Sequence, residues 1–159
     1  MATYTRCTRI GAPLSTIWEF HSDESGLEAL TPDWMGLDIV SVRGPDGTLD
    51  PETLDAGSKI RMSMRPFDVG PAQRWTSHIV ARELDDYTAM FRDEMIGGPF
   101  KKWVHTHRFY ADGEKTLMED HVEYEFPGGG VGRAVSPLGI IGLEPMFRQR
   151  HAKTKALLE

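Results

Sequence analysis

A single cysteine, Cys7, in 159 residues leaves no partner for an internal disulfide and no multi-cysteine zinc site. Long hydrophobic runs are missing as well: no stretch approaches the roughly 18 uninterrupted apolar residues that a membrane-spanning helix needs. The opening stretch MATYTRCTRI lacks the apolar segment of a secretory signal, so a cytoplasmic location is expected. Basic excess is absent. With 18 Lys and Arg against 24 Asp and Glu, the formal net charge of −6 argues against nucleic acid or anionic lipid as the main partner. There is no GxSxG nucleophile elbow. The glycines at 128–130 are not a phosphate loop, because neither the following lysine nor a β-α context accompanies them.

What is present is an ordinary globular composition, 40% hydrophobic and 26% charged, over a length that suits one domain spanning 1–159. Tyr4 to Ile10 alternates as a strand. Pro13 then sits at a helix start, with Leu14, Ile17, Trp18 and His21 at helical spacing, and a second short helix runs from Ser25 to Leu30. From Leu37 the period becomes two. LDIVSVR, GSKIRMSMR, QRWTSHIVARELD, YTAMFRDEMIGG, FKKWVHTHRFYAD and KTLMEDHVEYEF read as successive strands. Short turns such as DD, GGP and DGE join the later ones, which makes neighbours antiparallel and the sheet largely a meander. After Pro127 the tail from Val131 to Leu158 reads as helix broken by Pro137, Gly139, Gly142 and Pro145. Its firmest part is PMFRQRHAKTKALL, with Pro145 in the first turn. The fold class is therefore α+β: a curved antiparallel sheet of about seven strands wrapped around a long C-terminal helix, with two short helices after the first strand.

This order resembles the START-like, helix-grip (SRPBCC) superfamily, in its polyketide cyclase/dehydrase-like branch. The phrases FHSDESGLEALTPDWMGL, RWTSHI, FRDEMIGGPFKKWVHTHRF and TLMEDHVEYEFPGG are similar to an uncharacterised bacterial subfamily of it. The resemblance implies a deep, mostly apolar pocket between the sheet and the last helix. It does not suggest a metal, and no cofactor is expected. It does not select an activity, since carriers, sensors, cyclases and hydrolases share the scaffold.

Within WVHTHRF, alternation puts Trp103, His105, His107 and Phe109 on one face, the inner one. On the next strand Met118, Asp120, Val122, Tyr124 and Phe126 share a face, opposite Glu119, His121, Glu123 and Glu125, which must meet water. Phe91, Asp93 and Met95 are in phase on the preceding strand. Whatever the register, Asp120 falls beside His105 or His107, and Asp93 beside Trp103 or His105. The expected result is a polar cluster of two imidazoles and two carboxylates among Trp75, Phe91, Trp103, Phe109 and Tyr124. Three readings stand: a hydrogen-bonded network that pins the sheet, a ligand-orienting or acid–base pair, and a two-histidine, one-carboxylate metal site.

Trp18, Trp34, Trp75 and Trp103 are candidates to stack on a flat ligand or to fill the core. Met62, Met64 and Met146 suit an adaptable apolar wall. Arg148, Arg150, His151, Lys153 and Lys155 are assigned to the solvated face of the last helix, with either Arg148 or Arg150 able to turn toward the cavity and meet Asp93, Asp120 or an acidic ligand. The expected function is binding of a lipid-like, aromatic or polyketide-like small molecule. The alternative is an aromatase/cyclase or dehydratase in which His105 or His107 moves protons with Asp120.

Overall fold

A computed structural model, which describes residues 1–159, contains seven strands and four α-helices. The strands are β1 (Ala2–Ile10), β2 (Asp38–Arg43), β3 (Lys59–Met64), β4 (Gln73–Leu84), β5 (Thr88–Gly97), β6 (Lys102–Asp112) and β7 (Lys115–Glu125). The helices are α1 (Leu14–Phe20), α2 (Glu24–Leu30), α3 (Gly129–Val135) and α4 (Ile140–Leu158). All strands form one antiparallel sheet in the order β1-β7-β6-β5-β4-β3-β2, so β2 to β7 is an unbroken meander and β1 closes onto β7. With α4 held in the concave face, this is the helix-grip fold. No helix is long and apolar enough to cross a membrane.

Alternation decides what faces α4. Along β7 every second residue, Thr116, Met118, Asp120, Val122 and Tyr124, is buried, while Glu119, His121, Glu123 and Glu125 stay partly exposed on the other side. Those outer groups are engaged at the surface: Arg108 with Glu119 at 2.9 Å, Lys101 with Glu125 at 2.9 Å, and Thr5 Oγ1 with His121 Nδ1 at 2.7 Å. Alternation fails once on β4, where a bulge between Ile79 and Ala81 admits an extra residue and changes phase. Trp75, Ser77 and Ile79 face inward before it. Beyond it Arg82 turns in, with its guanidinium 4.2 Å from the centre of the Trp18 ring and 2.9 Å from Ser22 Oγ.

The final helix differs from expectation at its start. It begins at Ile140 rather than Pro145, after α3 and a single 3-10 turn over Ser136–Gly139. Pro145 lies inside the helix and forgoes the bond to the Ile141 carbonyl, a cost that normally ends a helix. Here tertiary contacts hold the first turn. Leu143 is buried against the sheet, and Glu144 accepts from Tyr4 Oη at 2.6 Å and from Arg6 Nη1 at 2.9 Å. Two stripes on α4 then diverge. Leu143, Phe147, His151 and Thr154 pack on the sheet, while Gly142, Met146 and Arg150 look into the space beside it. Gly139 passes so close to the Tyr124 ring that a Cβ there would stand 2.6 Å from it, whereas a Cβ on Gly142 would meet nothing within 4 Å.

Candidate functional site

Between the sheet, α2 and α4 lies a cavity of about 640 Å³. Its exposed lining residues, Pro66, Gln73, Pro99, Leu138 and Gly142, come from the β3–β4 and β5–β6 connections, the start of β4 and the approach to and first turn of α4, and there it opens. The walls are apolar: Ile60, Met62 and Met64 from β3, Trp75 and Ile79 from β4, Trp103 from β6, Met146 and Phe147 from α4. Deeper in, the lining turns polar, with Asp93, His105, His107, Arg150 and His21.

The register explains how these groups meet. Asp93 lies opposite His105 and Asp120 opposite His107, yet each side chain also reaches diagonally. Asp93 Oδ2 is 3.0 Å from His107 Nε2, and His107 Nδ1 is 3.1 Å from Asp120 Oδ1. His105 Nε2 bonds the same Asp120 oxygen at 2.6 Å. The other Asp120 oxygen takes His151 Nε2 at 2.5 Å, and His151 Nδ1 meets Thr8 Oγ1 at 2.7 Å. One carboxylate thus gathers three imidazoles from β6 and α4. The rings lie close as well: Phe91 stacks on His107 with centroids 3.8 Å apart, and His105 is tilted by 31° against His107 with centroids 3.7 Å apart.

Charge follows from these contacts. Burial alone would raise the Asp120 carboxyl, but hydrogen bonds from His105, His107 and His151 outweigh it and hold the group well below the usual carboxylate range. Burial would raise Asp93 too, and the His107 bond with the nearby imidazole charge brings it down instead. For His107 burial favours the neutral ring, yet its bonds to Asp120 and Asp93 prevail and its pKa is raised. Two carboxylates and the face of Phe91 thus favour the protonated ring. His105 goes the other way: burial first, and then the charge on His107, push it down, so it is neutral. With Nε2–H donated to Asp120, its Nδ1 keeps a lone pair and has no protein partner. A neutral imidazole oriented by a carboxylate and open to a cavity is able to accept a proton. Burial likewise drives His21 down to about 3.

Asp93, His105 and His107 also offer donor atoms within 4.8 Å of one another, a two-histidine, one-carboxylate set. Both nitrogens of His107 face carboxylates, so a metal there must displace a proton that the surroundings favour.

Several expected residues stand apart from the cavity. Trp18, Phe109, Asp120 and Tyr124, expected at the ligand surface, face inward but do not border this cavity. Trp18 and Phe109, with ring centroids 6.0 Å apart, seal the closed end against α1, and Tyr124 is buried beneath Gly139. Asp120 lies behind the histidines and acts through them. Trp34 is half exposed and stacks on Phe67 at 5.0 Å. His151, assigned above to the solvated face of the last helix, is 1% exposed. The available signal was its spacing, four residues after Phe147 and eight after Leu143 on the packed stripe. His21 was similarly legible as the next position on the apolar face of α1. Cys7 is exposed on the edge strand.

The family model for polyketide cyclase/dehydrase and lipid transport proteins matches residues 10–149. No curated protein matches the chain. Among solved structures, the TTHA0849 protein of Thermus thermophilus is 19% identical with a TM-score of 0.64, over 99% of this chain and 100% of its own. The CV1439 protein of Chromobacterium violaceum is 15% identical at 0.68, over 99% and 96%. A norcoclaurine synthase from Thalictrum flavum, in complex with dopamine and hydroxybenzaldehyde, is 17% identical at 0.62, over 99% and 86%. At such identities these structures speak for the fold. The family model covers most of the chain, and the chain belongs to the polyketide cyclase/dehydrase and lipid-transport family, of START-like (SRPBCC) type.

Proposed function

We propose that the chain binds a hydrophobic small molecule, lipid-like, aromatic or polyketide-like, with its apolar body between β3, β4 and α4 and its polar end toward His105. The carrying observation is the cavity itself: about 640 Å³, walled by methionine and aromatic side chains, with polar groups confined to the deep end. That volume and that distribution are what small-molecule sites show. Met62, Met64 and Met146 give the wall freedom to adapt to more than one apolar shape. Family membership and the aromatic molecules held by the norcoclaurine synthase structure support the same class. A cytoplasmic location and binding without a cofactor are part of the same proposal.

The test uses protein stripped of any co-purified compound by organic extraction and refolding. Added naphthalene derivatives or medium-chain alcohols should quench Trp75 and Trp103 emission saturably at one molecule per chain. Unsaturable or absent quenching would sink the proposal.

A second reading, a cyclase or dehydratase, is favoured by one observation: neutral His105 presents a free Nδ1 to the cavity while Asp120 fixes its tautomer. His105 would take a proton from a bound substrate, and the resulting charge would be stabilised by Asp120. Substrate positioning by the cavity walls would supply the rest of the rate.

A further inference from the structure

Arg150 differs from the other arginines that reach the interior or the sheet. Arg82 lies on Trp18 and bonds Ser22, Arg6 bonds Glu144, and Arg92 bonds Thr106. The Arg150 guanidinium borders the cavity and has neither an ion pair nor a hydrogen bond. The nearest carboxylates do not reach it. Asp120 is taken by His105 at 2.6 Å and His151 at 2.5 Å, and Asp93, bonded by His107 at 3.0 Å through Oδ2 alone, forms no ion pair with Arg150.

Leaving a guanidinium partly desolvated without an acceptor is costly. Burial pushes Arg150 below its ordinary value, and the more distant charges of Asp120 and Asp93 only partly offset this. The side chain stays charged nonetheless. Its stem comes from the same α4 stripe as Gly142 and Met146, so its planar fork ends where the apolar walls give way to the polar floor.

We infer that the ligand carries a singly charged oxyanion, a carboxylate or an enolate of like geometry, that Arg150 binds through its guanidinium fork. This rests on the reading of the cavity as a ligand site and narrows its ligand to an acidic amphiphile. The fork matches a two-oxygen acceptor in one plane. A phosphate dianion is the poorer fit, because Asp93 borders the same floor and the other cation there, His107, is already held by two carboxylates. The apolar body of the ligand then extends past Met146 toward the open end.

The experiment compares matched pairs of probes, dodecanoate against dodecanol and 2-naphthoate against methyl 2-naphthoate, by tryptophan quenching on wild type, Arg150→Met and Arg150→Lys. Wild type should prefer each acid by about tenfold or more, the scale of one charge-assisted bidentate contact. Arg150→Met should lose that preference while keeping the neutral probes within about twofold, and Arg150→Lys should keep part of it. Equal affinity for acid and neutral probe in wild type overturns the inference while leaving the ligand cavity intact. A uniform loss of both in Arg150→Met and Arg150→Lys, with unchanged melting, also overturns it. Failure of every probe to bind wild type removes the cavity reading itself, and the inference with it.

Discussion

Asp120 on β7 and His151 on α4 are joined by a 2.5 Å contact between Oδ2 and Nε2. This contact ties the C-terminal helix to the floor of the sheet at the place where the cavity turns polar. The same carboxylate holds His105 and His107, so the helix, the two strands and the cavity floor share one anchor.

Asp120→Asn should therefore be severe. An amide accepts at one oxygen only and turns its own donors toward imidazole N–H groups. The imidazolium of His107 is left with Asp93 alone. Breaking a buried charge pair from one side costs about 3–5 kcal/mol, and urea denaturation should show a loss of that order. A loss below about 1 kcal/mol would mean that the network contributes little.

Acid should weaken the fold before the carboxylates titrate. His21 has its pKa driven to about 3 by burial, so between roughly pH 6.5 and 3 the unfolded chain binds a proton that the folded chain refuses. Stability then falls with decreasing pH by about 1.4 kcal/mol per unit from this group. His105, also lowered, adds to the fall. His107, raised, acts oppositely: its contribution is complete below about pH 6.5 and is lost as pH rises through its folded value. Asp93 and Asp120, both lowered, carry stability above about pH 4 that disappears on further acidification. His21→Phe keeps a ring against Phe109 and gives up a bond to the Ile17 carbonyl. Urea midpoints measured between pH 6.5 and 4 should depend less steeply on pH in this variant. An unchanged slope would contradict the buried neutral state.

Phe147 is 1% exposed, stacks on Tyr4 at 5.3 Å and meets His105 edge-on at 5.2 Å. Phe147→Ala joins new empty volume to the existing cavity and should cost about 3–5 kcal/mol. Added hydrophobic probe should recover part of the melting temperature, because ligand fills the space. Equal destabilisation with and without probe would place Phe147 outside the ligand volume.

His105→Ala separates the two functional readings. A carrier should keep its probe affinity within a few-fold, since a small polar contact is lost from a large apolar one. A proton-transfer enzyme should keep binding and lose turnover by about 10²–10⁴-fold, the usual contribution of a general base. Substrate screening of both proteins on the same panel provides the comparison.

The inward direction of Asp93, His105, His107 and Asp120 was readable because strand alternation depends only on parity, and the four ionisable groups on the opposite face of β7 set that parity. Depth was not readable. Phe109 and Tyr124 point inward as alternation requires, but Trp18 of α1 packs over Phe109 and the turn at Gly139 covers Tyr124, and such closure is a long-range contact without a local pattern. His151 was hidden by its neighbours Arg148, Arg150, Lys153 and Lys155, whose charges suggest a solvated surface. Its place on the packed stripe of α4 counts for more, because Asp120 waits across the interface. The start of α4 was obscured by Pro145, for an interior proline costs about 3 kcal/mol and usually marks a boundary. Glu144, bound by Tyr4 and Arg6, carries the helix across it.

Gly142 allows the most direct test of the cavity as the ligand site. It lies on the cavity stripe of α4, and a Cβ there meets nothing within 4 Å. Gly142→Trp should fill the space with an indole and, by removing a glycine from a helix, leave the melting temperature unchanged or higher. Native mass spectrometry of freshly purified wild type should show a co-purified small molecule at up to one per chain, and the variant should show none. Equal occupancy in both proteins, or a bare wild type that also ignores every hydrophobic probe, would contradict the account.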